Sequence, residues 1–342
     1  MLAGCMTLEK RLETEPDPVV GAMKFYTEDF GDPTCVVAVA DENGVRFSDE
    51  SKAHDLYRIA SLGKIMYYPV SLNCGVDLDG KVAEASPIKL PPEWERWSLR
   101  DLLENRTGLP REFRDWSFLF TAVNCGAFGT HIYGGYEDLD TFEAQLWRGK
   151  YRRAVAEGGN CYSNMGFGML GMCLERKTGK TSEMLLEEFL VAPYGLEDTT
   201  FEPESHPEMS GRVTKCAAGG LPWNTRRGGE VPENRLGPAL RATGGMFSSA
   251  SDMVKVFMGR EVWSMVDAAE SGAEKLKEGD TAGLLRVHYL KDGAICYYRH
   301  GMIYGGSSFV AFEPDRHRVT IVLRNATNWP DRGACALVEA LR

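Results

Sequence analysis

An antiparallel β-sheet flanked by helices, with a mostly helical subdomain inserted into it, is the α/β (α+β) fold the sequence predicts. Three observations point to it. A hairpin pattern lies near the N-terminus, four strand patterns lie near the C-terminus, and the stretch between them is rich in helices and loops. Strands at both ends of a chain around a helical middle describe one sheet completed by terminal segments, since a sheet face needs a covering layer.

Taken in order, residues 1–16 read as an N-terminal tail, and 17–342 as the domain. Its α/β part covers about 17–70 and 241–342, and its helical part about 71–240. Residues 18–30 read as a helix, because Pro18 suits a first helical turn. Thr34–Ala40 and Gly44–Phe47, joined through Asp41-Glu42-Asn43-Gly44, read as a β-hairpin. Residues 97–103 and 166–174 are the clearest helices of the middle. Between 110 and 151 lies an aromatic segment containing Phe113, Trp116, Phe118, Phe120, Phe128, Tyr133, Tyr136, Phe142, Trp147 and Tyr151. Core packing is its ordinary reading; interleaved glycines also allow a lid. Strands follow at 284–289, 295–298, 307–312 and 318–323, and a closing helix at 331–342.

A chain of 342 residues can bury a sizeable core, and 43% hydrophobic with 26% charged residues is an ordinary globular balance. The net charge of -10, with no basic run, excludes a nucleic-acid partner, which demands clustered Lys and Arg. No apolar stretch reaches the length of a transmembrane helix. Nine scattered cysteines without a C-x-x-C pair remove the usual zinc and redox readings and lean toward a reducing compartment. The start Met1-Leu2-Ala3-Gly4-Cys5 matches a bacterial lipoprotein cleavage box without its apolar region. With a start further upstream, Cys5 would carry a lipid anchor in the bacterial envelope or periplasm; without one, a cytoplasmic location follows.

Three short patterns carry chemistry. In Ser61-Leu62-Gly63-Lys64, spacing of three on a helix puts a hydroxyl beside an amine. A serine needs such a neighbour to become a nucleophile. A second match, Ser86-Pro87-Ile88-Lys89, fails because proline opposes the helix that would bring the two side chains together. Ser61 instead falls at a strand-to-helix junction, where backbone N–H groups favour developing negative charge. Tyr162-Ser163-Asn164 precedes the helix at 166–174. A phenol serves as a base only where cations stabilise its anion; otherwise the triplet is a turn with Asn164 as helix cap. Arg299-His300-Gly301-Met302 closes a strand, and alternation puts His300 and Met302 on one face and Arg299 and Gly301 on the other. Periodicity alone leaves open which face meets a site. Gly166, Gly168 and Gly171 match a dinucleotide fingerprint in form, but they sit inside a helical run, where helix packing explains them.

Together these patterns resemble the serine β-lactamase and penicillin-binding-protein superfamily, especially its class C-like branch of β-lactamases, D,D-peptidases and esterases. Residues 57–64 are similar to its nucleophile motif, 99–110 to the following helix and turn, 161–171 to its Y-S-N motif, and 242–253 to a later Gly-Gly turn and helix. The resemblance runs from about residue 17 to the C-terminus. It implies a β-lactamase/transpeptidase-like fold and a serine hydrolase acting through an acyl-enzyme on an ester or amide. In the roles it implies, Ser61 is the nucleophile, Lys64 and Tyr162 share its proton, and Asn164 orients Lys64 or the substrate amide. Arg299, His300, Gly301 and Met302 border the substrate, and no metal or organic cofactor is called for. The third motif departs from the family's Lys-Thr-Gly or His-x-Gly. Of the two registers, His300-Gly301-Met302 fits the glycine pair Gly305-Gly306 better and makes the Ile303 N–H the second oxyanion donor beside that of Ser61. In that register Met302 would crowd a bulky ligand, which argues against efficient β-lactamase activity. The partner is then a small-molecule or peptide substrate. The rival reading is a catalytically impaired penicillin-binding-like protein that binds a peptide or cell-wall ligand.

Overall fold

A computed structural model describes residues 7–29, 32–112, 138–148, 161–214, 236–272, 276–303, 305–326 and 331–342. In chain order the elements are helices α1 (Leu8–Thr14) and α2 (Pro18–Lys24), and strands β1 (Val36–Asp41), β2 (Gly44–Phe47) and β3 (Tyr57–Arg58). Helices α3 (Gly63–Asn73), α4 (Leu99–Leu103), α5 (Asn164–Thr178) and α6 (Arg241–Gly244) follow, then β4 (Phe247–Ser248), α7 (Ala250–Phe257) and α8 (Arg260–Glu270). The chain ends with β5 (Thr281–Ala282), β6 (Leu285–Tyr289), β7 (Ile295–Ile303), β8 (Gly306–Glu313), β9 (Arg318–Arg324) and α9 (Asp331–Ala340). A further helix over Leu139–Arg148 and several short helical turns lie between these.

The sheet is antiparallel, in the order β2-β1-β9-β8-β7-β6-β5, so the N-terminal hairpin pairs directly with the last strand. β3 and β4 form a separate two-stranded ribbon. Alternation along each strand divides the sheet between two cores. Val36, Ala38, Tyr297, Val310, Phe312 and Ile321 point into the larger core with the inserted helices. Val37, Cys296, Tyr298, Phe309, Ala311 and Val322 point into a smaller one under α1, α2 and α9.

The expected antiparallel sheet, its terminal completion and the helical insertion are all present. The tail expected over residues 1–16 is a helix over Leu8–Thr14: Thr7 caps it, Leu8 is buried in the smaller core, and Arg11 makes two hydrogen bonds to Asp29. The helix expected over 18–30 is α-helical only to Lys24 and continues as a wider π-turn over Phe25–Asp29. The second C-terminal strand pattern, expected to end at Tyr298, runs on to Ile303, carrying Arg299 to Met302 inside the sheet. Cys5 and the aromatics Phe113, Trp116, Phe118, Phe120, Phe128, Tyr133, Tyr136 and Tyr151 lie outside the described residues. Of that segment Phe142 is fully buried, while Trp147 lies on the surface with its indole N–H donating to the Lys89 carbonyl.

Candidate active site

Ser61 sits in a single 3₁₀ turn, Ala60–Leu62, between β3 and α3. Ala60 has φ +47°, a left-handed conformation that costs a residue with a Cβ about 1–3 kcal/mol and persists only where its surroundings hold it. They do so from two sides. A side chain at Gly244 would come within 3.1 Å of the Ala60 carbonyl carbon, so the glycine lets α6 press against the turn. From the other side the Ser308 hydroxyl on β8 donates to the Ile59 carbonyl at 2.7 Å.

Lys64 lies in the first turn of α3 and is 1% exposed. Its Nζ is 3.5 Å from the Ser61 Oγ and donates to the Thr243 carbonyl. The Tyr162 hydroxyl is 2.6 Å from the same Oγ. Burial pulls the Lys64 ammonium down to about 8, against the opposing influence of Tyr162. Burial would push the Tyr162 phenol up, yet the charges of Lys64 and Arg299 outweigh it and bring it down to about 8. Both groups stand within reach of the Ser61 Oγ and titrate as a pair. The Arg299 guanidinium, largely buried, stacks 3.6 Å from the Tyr162 ring centroid, and that of Arg111 stands at 5.7 Å.

The tyrosine is held by its neighbours. Asn105, itself left-handed at φ +54°, accepts from the Cys161 N–H through its carbonyl and from the Ser163 N–H through its side chain. Its Nδ2 donates to the Gly283 carbonyl, so Tyr162 is fastened to the loop between β5 and β6. The helix cap after Tyr162 is Ser163, whose hydroxyl accepts from the Gly166 N–H at 3.0 Å, and not Asn164, which begins α5. Asn164 is buried and its Nδ2 donates to the Glu112 carboxylate. Asn164, expected to orient Lys64 or the substrate amide, thus also meets an acid that motif spacing did not single out.

The fourfold run on β7 takes the other register. Arg299 meets Tyr162, and a Cβ at Gly301 would lie 2.9 Å from the Ser61 nitrogen and 2.5 Å from the Ile59 carbonyl oxygen. His300 and Met302 alternate onto the opposite face, the one carrying Cys296 and Tyr298. The preference for His300-Gly301-Met302 is therefore corrected to Arg299-His300-Gly301. The backbone N–H left free at the end of the run shifts with it. The Val287 N–H and C=O bond toward Asp280 and Gly279, so Arg286 and His288 bond to their β7 partners Tyr298 and Cys296. Even-numbered backbone groups of β7 thus face the β6 side, and β6 pairs only as far as Tyr298. Beyond it the Met302 N–H lies on the open edge. That of Ile303 turns into the ladder opposite Gly306.

The two decoys resolve as their sequences imply. Ser86 is the extended C-cap of a short helix, far from helical geometry. Gly168 and Gly171 lie inside α5, where a Cβ would come within 2.5 Å of the Ala239 carbonyl oxygen and 2.7 Å of the Ala242 Cβ. They are close-packing glycines against α6 and the turn before it.

Residues 28–342 match the Beta-lactamase family. The chain belongs to that family. A Beta-lactamase-family member with this constellation is a serine hydrolase of the penicillin-binding-related kind, and its relatives span several substrates. Over 94 residues the chain is 32% identical to the D-alanyl-D-alanine-carboxypeptidase/endopeptidase AmpH of Escherichia coli K12, a stretch covering 28% of this chain and 21% of that protein. Its fold is similar to a class C β-lactamase from Rhodobacter sphaeroides, at TM-score 0.70 and 17% identity over 95% of this chain and 98% of the other. A D-stereospecific amidohydrolase from Streptomyces sp. gives TM-score 0.71 at 19% identity over 95% and 98%. The D-amino acid amidase of Ochrobactrum anthropi SV3 gives 0.68 at 18% over 96% and 98%.

Proposed function

We propose that this β-lactamase-family chain hydrolyses an ester or amide through an acyl-enzyme on Ser61, in the manner of the family's amidase, peptidase and esterase members. The observation that carries the reading is the 2.6 Å contact of the Tyr162 hydroxyl with the Ser61 Oγ, with the Lys64 Nζ 3.5 Å away. In the first half-reaction the Ser61 oxygen attacks the carbonyl carbon while its proton passes to the Tyr162–Lys64 pair. The developing oxyanion is received by the N–H groups of Ser61 and Met302, and each such donor contributes about 10²–10³ in rate. The proton then returns to the leaving alcohol or amine. In the second half the same pair takes a proton from water, which attacks the acyl carbonyl and frees Ser61.

Arg299 supports this cycle by keeping positive charge on the ring face of Tyr162, and Asn105 and Ser163 by holding the ring in place. Gly301 supports it by admitting the nucleophile's turn against β7. Retention of a cation and a glycine at these positions speaks against the catalytically impaired rival. Labelling by a fluorophosphonate or by radiolabelled penicillin tests the proposal. Covalent modification at Ser61, and loss of p-nitrophenyl ester turnover in Ser61→Ala, are expected. Turnover that survives Ser61→Ala, without labelling of the native protein, overturns it.

A further inference from the structure

A cavity of about 240 Å³ lies between α8, the residues just after α4 and the loop joining β5 to β6. Its wall is largely apolar, made by Tyr68, Leu103, Met265, Leu276 and Leu284 with alanines and glycines between them. The charged residues on it, Glu104 and Arg106, pair with one another at 2.6 Å. The Gly283 carbonyl is engaged as well, by the Asn105 Nδ2 at 3.3 Å, and a Cβ at Gly283 would meet nothing within 4 Å. Arg106, Ala268 and Gly272 are exposed while Tyr68, Leu103 and Leu284 are buried, which sets a mouth at the surface above an apolar floor. These features select a ligand. Bound water needs several polar partners, and the charged groups and the Gly283 carbonyl already have theirs. A dry apolar cavity of about 150 Å³ is enough to take up benzene, so this one has room for a ring and several further atoms. Tyr68 and Met265 favour an aromatic ring, through edge-to-face and sulfur contacts. A charged ligand gains little, because the two charges on the wall neutralise each other.

The wall of this cavity is tied to the catalytic tyrosine. Asn105 stands in the chain between Glu104 and Arg106, both of which line the cavity, and its side chain bonds to Gly283, which lines it too. Asn105 is buried and left-handed at φ +54°, a conformation that persists only where its neighbours hold it. Besides Gly283, those neighbours are the N–H groups of Cys161 and Ser163, the residues on either side of Tyr162. A molecule packed against Gly283 and Leu284 holds their loop against Asn105. It thereby favours the arrangement in which the Tyr162 hydroxyl meets the Ser61 Oγ. Resting on the Ser61 acyl-enzyme reading, we propose that the cavity is an activating site for a small neutral aromatic molecule, whose presence is relayed to Tyr162 through Asn105.

Indole is the probe, added to the full chain. Saturable binding by saturation-transfer NMR is expected, together with a rise of about fivefold or more in kcat/KM for p-nitrophenyl acetate, the lower end of ordinary allosteric coupling. Ala269→Leu, which adds bulk to the wall from the buried face of α8, is expected to abolish both. Asn105→Asp keeps an oxygen for the Ser163 N–H and tolerates the left-handed backbone, but it has no N–H for Gly283. That variant should bind indole and lose the rate gain; should it fail to fold, the Ala269→Leu comparison decides the site by itself. Absence of saturable binding to the native protein overturns the inference, as does binding that Ala269→Leu leaves intact. Bound indole that keeps kcat/KM within about twofold, or lowers it, overturns the relay to Tyr162. Ester hydrolysis that survives Ser61→Ala overturns the acyl-enzyme reading instead, and the binding measurement is unaffected by that outcome.

Discussion

Placing one methyl group on Gly301 probes the register of β7 and the seat of the nucleophile together. The Cβ of Gly301→Ala would stand 2.4 Å from the Ser308 Oγ, 2.5 Å from the Ile59 carbonyl oxygen and 2.9 Å from the Ser61 nitrogen. Ordinary contact begins near 3.4 Å. The Ser308 hydroxyl could rotate away only by giving up its hydrogen bond to Ile59, and the other two atoms are backbone. Relief therefore requires β7 and the 59–61 turn to separate by about 1 Å. Overpacking on this scale costs about 1–3 kcal/mol, and a displacement of that size at reacting atoms costs about 10²-fold in rate. Thermal unfolding should fall by a few degrees, since about 1 kcal/mol moves the midpoint of a large domain by roughly 2–4 °C. Ester kcat/KM should fall far more than stability does. Had His300 and Met302 bordered Ser61, the alanine would face away from it. A Gly301→Ala protein with kcat/KM within twofold of native refutes the register and the oxyanion assignment that depends on it.

Removing the cation in Arg299→Gln takes away a charge that lowers Tyr162, so the acid limb of the kcat/KM profile, expected near pH 8 in the native protein, should move to higher pH; an unmoved limb means another group controls it. The same depressed phenol has a sign for stability. Its folded value lies below its unfolded one near 10, so its contribution is present above pH 10 and lost as pH falls through about 8; the stability of the native protein relative to Tyr162→Phe, measured by urea unfolding, should therefore rise with pH across that window, and a flat difference contradicts it. Asp252→Ala should destabilise by about 2–4 kcal/mol, because this fully buried carboxylate accepts from the Glu197 and Asp198 N–H groups and the Thr199 hydroxyl; a change under about 1 kcal/mol in denaturant midpoint would contradict that account.

What the sequence made legible follows from how local the signals are. Ser61 and Lys64 sit within one helical turn, so their pairing needed only helix geometry. Pro87 likewise disqualified Ser86 by a local rule. The hairpin of β1 and β2 was written in its Asn-Gly turn, and the strands of the C-terminal part in their alternation. Tyr162 stood out as a phenol before a helix and took its role from a resemblance, while its 2.6 Å contact with a residue 101 positions away has no local signature. The face of β7 that meets the site was hidden for the same reason: alternation says which residues share a face, while the choice between faces is made by β8, the Ile59 carbonyl and Ser61. Glu112 and Asn105 were missed because each acts through a neighbour's amide rather than through a motif of its own. The left-handed backbone of Asn105, just after α4, is a position where Asn is favoured, and that was the one available signal. Leu8–Thr14 looked like a tail because its apolar contribution is small, yet Leu8 completes a core made by both ends of the chain.

The Ser308–Ile59 hydrogen bond joins residues 249 positions apart, and it closes the seat of the nucleophile. Tyr162 arrives from the intervening insertion and Gly301 from the strand preceding β8. No contiguous half of the chain thus contains a working site, and closing such loops is the slow part of assembling a sheet protein. Hydrolytic competence should accordingly be the last property gained on refolding, trailing the recovery of helical circular dichroism. An ester assay then times the docking of the final hairpin, and a partly synthesised or misfolded chain carries a serine with no chemistry to perform.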